Sequence, residues 1–277
     1  MLGKLIKYEF RATARYFVPI FIAMILVFFI NSLLVYANLN YVKVNDIVVG
    51  IMVAITFGVI IALSIIGIYV SAKRFAQGVF GDEGYLTNTL PVKAHEIIIS
   101  KTIVMFLFQI FSFIVMIVSI GMIWVAIYSS LTPEVLKEFW NNLEQTYSYI
   151  TSDLILAIVF FMLSMIISMI SSPLLIFLCV SIGHLKAFVS HKYLVGILSY
   201  VIISISISVL RSTKFEQIFI GMNSTTKYVN PSAENSIELM VAFFNKLSIE
   251  TIIQSVVLIA VCFAATQFII SRKLNLE

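Results

Sequence analysis

Charged residues interrupt this chain so unevenly that their positions outline it. Six stretches of 18 residues or more contain no Asp, Glu, Lys or Arg: 16–42, 47–72, 102–133, 154–185, 193–210 and 251–271. Every other charge-free gap is 10 residues or shorter. A helix rises about 1.5 Å per residue and a bilayer core is about 30 Å thick, so about 20 apolar residues cross it. Five stretches exceed that length. Tyr193 to Leu210 falls slightly short, but Lys192 and Arg211 can snorkel from its ends. Barrel strands would instead alternate over segments of about 10 residues. The pattern predicts an all-α polytopic membrane protein, a single transmembrane domain over 1–277. Its six helices are expected at about 17–37, 47–72, 103–128, 154–182, 193–210 and 251–270.

Weaker periodicities flank the spans. At about 100° per residue, Lys4, Lys7, Arg11 and Arg15 share one arc, and Leu2, Ile6, Phe10 and Phe17 the opposite one. That arrangement predicts an interfacial helix over 1–16, cations toward headgroups and rings toward acyl chains. Between spans three and four, Thr132 suits an N-cap, Pro133 the first turn and Glu134 the positive dipole end. Val135, Phe139, Leu143 and Tyr147 then recur every four residues, predicting a short amphipathic helix with Trp140 at headgroup level. A second apolar pattern, with Ile237, Val241 and Phe244, covers 232–248 before the last span.

Composition narrows the class. Hydrophobic residues make up 61% and charged residues 12%, with a mean hydropathy of +1.05. Soluble domains sit near half apolar and a quarter charged, so a globular, disordered or disulfide-stapled chain is excluded. The first apolar run, 27 residues, exceeds the about 7–15 of a signal-peptide core, so it is expected to remain as span one. The net charge of +4 acquires meaning from its distribution. With a cytoplasmic N-terminus, the inside segments carry twelve of the 18 cations against five acids, and the outside segments six against nine. This obeys the positive-inside rule and puts both termini in the cytoplasm. The cations read as a topology signal, with no nucleic-acid partner implied. The expected location is the plasma membrane, multi-pass and bacterial.

The longest cytoplasmic loop reads KRFAQGVFGDEGYLTNTLPVKAHEIIISK over 73–101. Phe75, Val79, Phe80, Tyr85 and Leu86 are too apolar for a plain connector, and they surround Asp82 and Glu83. They either dock another protein or pack beneath the spans. The opening MLGKLIKYEF, the six-span layout and the stretch GDEGYLTNTLPVKAHEIIISK resemble permease subunits of type-2 ATP-binding-cassette (ABC) transporters, closest to small permeases of Gram-positive bacteria. The resemblance implies a coupling segment on the first cytoplasmic loop. By position that is Phe75, Val79, Phe80, Asp82, Glu83, Tyr85 and Leu86, seated on an ATPase subunit. GHLKAFVSHK, 183–192, would be a secondary contact. It further implies two ATPase subunits, a second permease subunit (identical or homologous), and export of a peptide, drug or lipid-like substrate. Short, partly re-entrant outer helices often precede the last span in that family, and 232–248 fits either these or a plain interfacial helix.

No G-x-x-x-x-G-K-[ST] phosphate loop occurs, so the chain is read as a non-enzyme with no cofactor of its own; ATP and Mg²⁺ belong to the partner ATPase. His95, His184 and His191 lie in cytoplasmic loops without metal-site spacing, and no H-E-x-x-H occurs. Cys179 and Cys262 fall inside spans as small apolar fillers. Spans free of charged residues disfavour an ion-coupled carrier. An ATP-independent channel or sensor using the 73–101 loop for another partner is the alternative. Ser164, Ser168 and Ser171 recur at helical spacing before Pro173, which is expected to kink span four. With Asn31, they are read as interhelical packing or hydrogen-bonding groups, or as lining of a pathway.

Overall fold

A computed structural model describes residues 2–41, 45–81, 93–147, 151–226 and 233–273. Among these every regular element is helical: α1 (Leu2–Asn40), α2 (Asp46–Val79), α3 (Ala94–Ser129), α4 (Pro133–Tyr147), α5 (Ser152–Gly183), α6 (Lys192–Thr226) and α7 (Ala233–Lys273), with a 3₁₀ turn (Lys186–His191) between α5 and α6. Six of the helices, all but α4, are long and apolar enough to cross a membrane. Apolar side chains on α2, among them Ile51, Phe57, Ile61 and Ile65, stand exposed, as do Ile197, Ile202 and Ile205 on α6. Water-soluble monomers rarely leave such continuous apolar faces, and a bilayer covers them without cost.

The chain forms two compact units. The first comprises Met1–Gln77 with Pro91–Trp140. In it α1 lies along α3. Phe108 of α3 stacks between Phe10 and Phe17 of α1, with both ring centroids 4.9 Å away. Met24, Phe28, Ile98, Val104 and Met105 complete a dry core. At the far end of the pair, Asn40 Nδ2 donates to Ser130 Oγ at 2.6 Å. α2 meets its neighbours through side chains: Asn31 Nδ2 donates to Thr56 Oγ1, and Ser71 Oγ, which donates to the Gly67 carbonyl at 2.8 Å, lies 3.4 Å from Met105 Sδ.

The second unit comprises Gly78–Leu90 with Asn141–Glu277. Here α5 packs along α7, and α6 packs on α5. Phe161 meets Phe244 edge to face at 5.4 Å, and Arg211 Nε donates to Gln254 Oε1 at 2.9 Å. Gly183 permits the tight return from α5 to α6. A Cβ there would stand 2.3 Å from the Lys192 carbonyl oxygen.

The helices differ from the expected segmentation in two places. The amphipathic stretch expected over 1–16 is helical from Leu2 but continues without a break into span one, through Pro19. Its rings turn inward: Phe17 is buried and Phe10 rests on α3, where acyl chains were expected to meet them. The apolar pattern over 232–248 likewise joins the last span in one 41-residue helix. Pro173 lies inside α5, which is helical on both sides of it. Proline removes the hydrogen bond to the carbonyl four residues back, and Ser172 Oγ donates to that carbonyl, of Met169, at 3.3 Å.

Candidate functional site

The N-terminal turns of α1 carry two chemically opposite faces. Lys4, Lys7, Arg11 and Arg15 are exposed on one. On the other, Glu9 is nearly enclosed, its side chain only 12% exposed. Arg74, near the end of α2, faces it with Nε 3.2 Å from Oε1 and Nη2 3.3 Å from Oε2. Lys101, in the second turn of α3, places Nζ 2.9 Å from Oε2 and donates from the same nitrogen to the Arg74 carbonyl at 3.0 Å. One carboxylate therefore holds two buried cations. The Lys101 bond also ties together the two stems of the 73–101 loop. Local sequence explains the register: Glu96 accepts from the Lys93 amide at 3.3 Å, closing the first turn of α3 and fixing where Lys101 emerges.

The cluster is a mechanical tie, because removing one partner from a buried ion pair leaves an uncompensated charge. The tie fastens α1 to both stems of the loop.

The coupling residues expected from the sequence separate into three groups. Phe75 and Val79 occupy the last turns of α2 and are 0% and 2% exposed, so their side chains belong to the core. Asp82, Glu83, Tyr85 and Leu86 lie outside the described residues. Phe80, between them, stacks on the His184 imidazole at 4.4 Å with planes 13° apart. His184 caps the end of α5, and its Nδ1 lies 2.8 Å from the Val180 carbonyl. Burial pushes its pKa below the usual histidine range; the Lys192 charge adds to that, and the Val180 carbonyl opposes it. The 78–81 segment and the turn after α5, both expected at the cytoplasmic face, thus meet through a specific ring pair.

The residues read as packing groups or pathway lining make bonds within or between helices. Ser164, Ser168 and Ser171 each donate to the carbonyl three residues back on their own helix, at 2.7, 2.7 and 2.8 Å. Ser164 and Ser171 are buried, and Ser168 is exposed. Asn31 is buried and makes the interhelical bond to Thr56. Among the described residues no group of three or more His, Cys, Asp or Glu could hold a metal ion. Cys179 and Cys262 are buried free thiols.

Sequence reasoning counted Glu9, Arg74 and Lys101 only as topology charges and did not bring them together. A signal was present: Glu9 projects from the apolar side of α1, opposite the cationic arc, where a lone carboxylate needs a partner. Comparison with protein-family models, curated proteins and solved structures gives no match.

Proposed function

We propose that this chain is the membrane permease subunit of an ATP-binding-cassette transporter. It pairs with a second permease subunit, identical or homologous, and is driven by two separate ATPase subunits that bind ATP and Mg²⁺. Its cargo is a peptide, drug or lipid-like molecule, carried outward, as the sequence resemblance implies. The observation that supports this reading most directly is the stacking of Phe80 on His184, immediately before the acidic GDEGYL stretch. A partner pressing on that stretch moves α5 through the ring pair, and moves α1 through Arg74, Lys101 and Glu9. Work done outside the membrane thereby reaches the spans with no Asp, Glu, Lys or Arg inside their charge-free stretches.

The double substitution Asp82→Lys with Glu83→Lys tests the docking role. It is expected to insert normally in the membrane while losing co-purification with a soluble P-loop ATPase and losing transport. Normal assembly and transport in that variant would remove these acids from the interface. Failure of the wild-type protein to retain any such ATPase in mild detergent would favour an ATP-independent channel or sensor.

A further inference from the structure

Next to Arg74 on α2, Lys73 stands in a different setting. Its Nζ lies over two phenol rings, 5.1 Å from the centroid of Tyr16 on α1 and 5.5 Å from that of Tyr69, one turn back on α2. The ring faces attract the ammonium and limit where it can move, but they supply no counter-charge. Among the described residues no carboxylate pairs with Lys73: Glu9 is committed to Arg74 and Lys101, and Glu96 accepts from the Lys93 amide. Arg15, beside Tyr16 in sequence, is exposed and adds to the positive field. This corner therefore holds an ordered cation and no anion.

Its depth follows from the sequence. Arg15 and Lys73 are the charged residues that bound the stretches 16–42 and 47–72 at their shared end. A lysine flanked by tyrosines at the end of an apolar stretch belongs at headgroup level. From Lys73 the residues Tyr69, Ile65 and Ile61 follow along one face of α2 at intervals of four, and all three are exposed. The most apolar 18 residues of α2 include none that is buried. This lane is apolar along its length and cationic only at its end, which matches a lipid with a negative headgroup. A choline headgroup gains less there, because Lys73 already occupies the ring faces and repels a second ammonium.

We propose that Lys73, steadied by Tyr16 and Tyr69, holds the phosphate of one anionic phospholipid whose acyl chains lie along Tyr69, Ile65 and Ile61. The site goes beyond the permease reading and needs no ATPase. It is also narrower than a general attraction of the α1 cations to headgroups. The test uses the purified full chain in mild detergent, titrated with phosphatidylglycerol or with phosphatidylcholine of the same chains, bound lipid being counted by native mass spectrometry. One phosphatidylglycerol is expected to bind before any others, and phosphatidylcholine about fivefold more weakly. Lys73→Gln is expected to weaken that first phosphatidylglycerol about fivefold, whereas Lys7→Gln, an exposed cation of the α1 arc, leaves it unchanged. Soluble glycerol phosphate, which lacks the chains, should not displace the lipid. Equal binding of the two lipids, equal losses in Lys73→Gln and Lys7→Gln, or displacement by glycerol phosphate would overturn the assignment. If Lys73→Gln does not fold, the lipid comparison and the glycerol phosphate competition decide the matter on the wild-type protein.

Discussion

Glu9 is where a single side chain has the largest leverage on this molecule. It pairs with both Arg74 and Lys101 in a setting where all three side chains are 12% exposed or less. Glu9→Gln replaces the carboxylate facing two buried cations with a neutral amide, and breaking a buried ion pair in this way costs about 3–5 kcal/mol. Thermal unfolding in detergent is expected to show a marked fall in midpoint for Glu9→Gln, and a smaller one for the exposed Lys7→Gln on the opposite face. Similar midpoints would mean that water reaches the cluster. His184 supplies a pH dependence of definite sign. Its pKa is lowered in the fold below an unfolded value of about 6.5, chiefly by burial, so the unfolded chain binds more protons at lower pH. The stability it contributes is therefore complete above about pH 6.5 and is lost as the pH falls through and below that value. His184→Phe keeps the stack with Phe80 and removes the proton, so its unfolding midpoint should change less between pH 7.5 and 5.5 than the wild-type midpoint. These residue-scale features were partly legible beforehand. The carboxylate of Glu9 stands on the wrong face of an amphipathic pattern, which is visible in the sequence. Which cations answer it is not, because Arg74 and Lys101 are 27 positions apart and meet only once α2 and α3 are packed.

At the scale of elements, charge spacing gave the existence of the helices far better than their ends. The span boundaries were drawn at Arg15 and Glu250, yet α1 and α7 run straight through both. A charge limits how much helix the bilayer core accepts, but it does not stop a helix; that takes a break in backbone hydrogen bonding. Between Ala233 and Lys273 there is neither Gly nor Pro, so nothing ends α7. At about 1.5 Å per residue its 41 residues extend about 60 Å, twice a bilayer core. Where α5 returns to α6, backbone contact decides the geometry. Gly183→Ala would drive a methyl into the Lys192 carbonyl, which cannot yield as a flexible side chain can. Overpacking of this kind costs about 1–3 kcal/mol, and reduced thermal stability with a loosened Phe80–His184 stack is the expected result. Gly196→Ala, whose added methyl would meet only the Cys179 carbonyl at 3.6 Å, is the milder control. α4 poses a different question. Val135, Phe139, Trp140 and Leu143 are all exposed, so its apolar face is unmet by the protein. With Trp124→Phe removing the other tryptophan, Trp140 fluorescence should be quenched by lipids brominated near the headgroup more than by lipids brominated at the chain ends. Absence of quenching by either would place α4 in water.

For the whole molecule, the sparse charge explains what covers the surface and predicts which way the chain faces. Six long apolar helices with exposed flanks need a bilayer, and that much was readable from the charge-free runs. The partition into two compact units was not readable, since helices 1 and 3 and helices 5 and 7 pair across intervening sequence and no linker marks the division. The expected orientation rests on energetics rather than on contacts. Lys4, Lys7, Arg11 and Arg15, together with Lys186 and Lys192, resist translocation, while Glu134, Glu138 and Glu144 of α4 contribute little resistance. Cysteine labelling tests this directly. The native thiols Cys179 and Cys262 are buried and inside spans, so their background reactivity with a membrane-impermeant maleimide should be low. In intact cells Lys137→Cys is expected to react at once, whereas Lys7→Cys and Lys192→Cys should react only after the membrane is opened. The reverse pattern would carry a larger consequence than a flipped diagram. Phe80, His184 and the acidic stretch that follows Gly81 would then face away from cytoplasmic ATP, and no ATPase could reach them. Labelling sidedness and ATPase co-purification must therefore agree: with the loops inside, the coupling proposal stands on its own test, and with the loops outside, it fails whatever the loop binds.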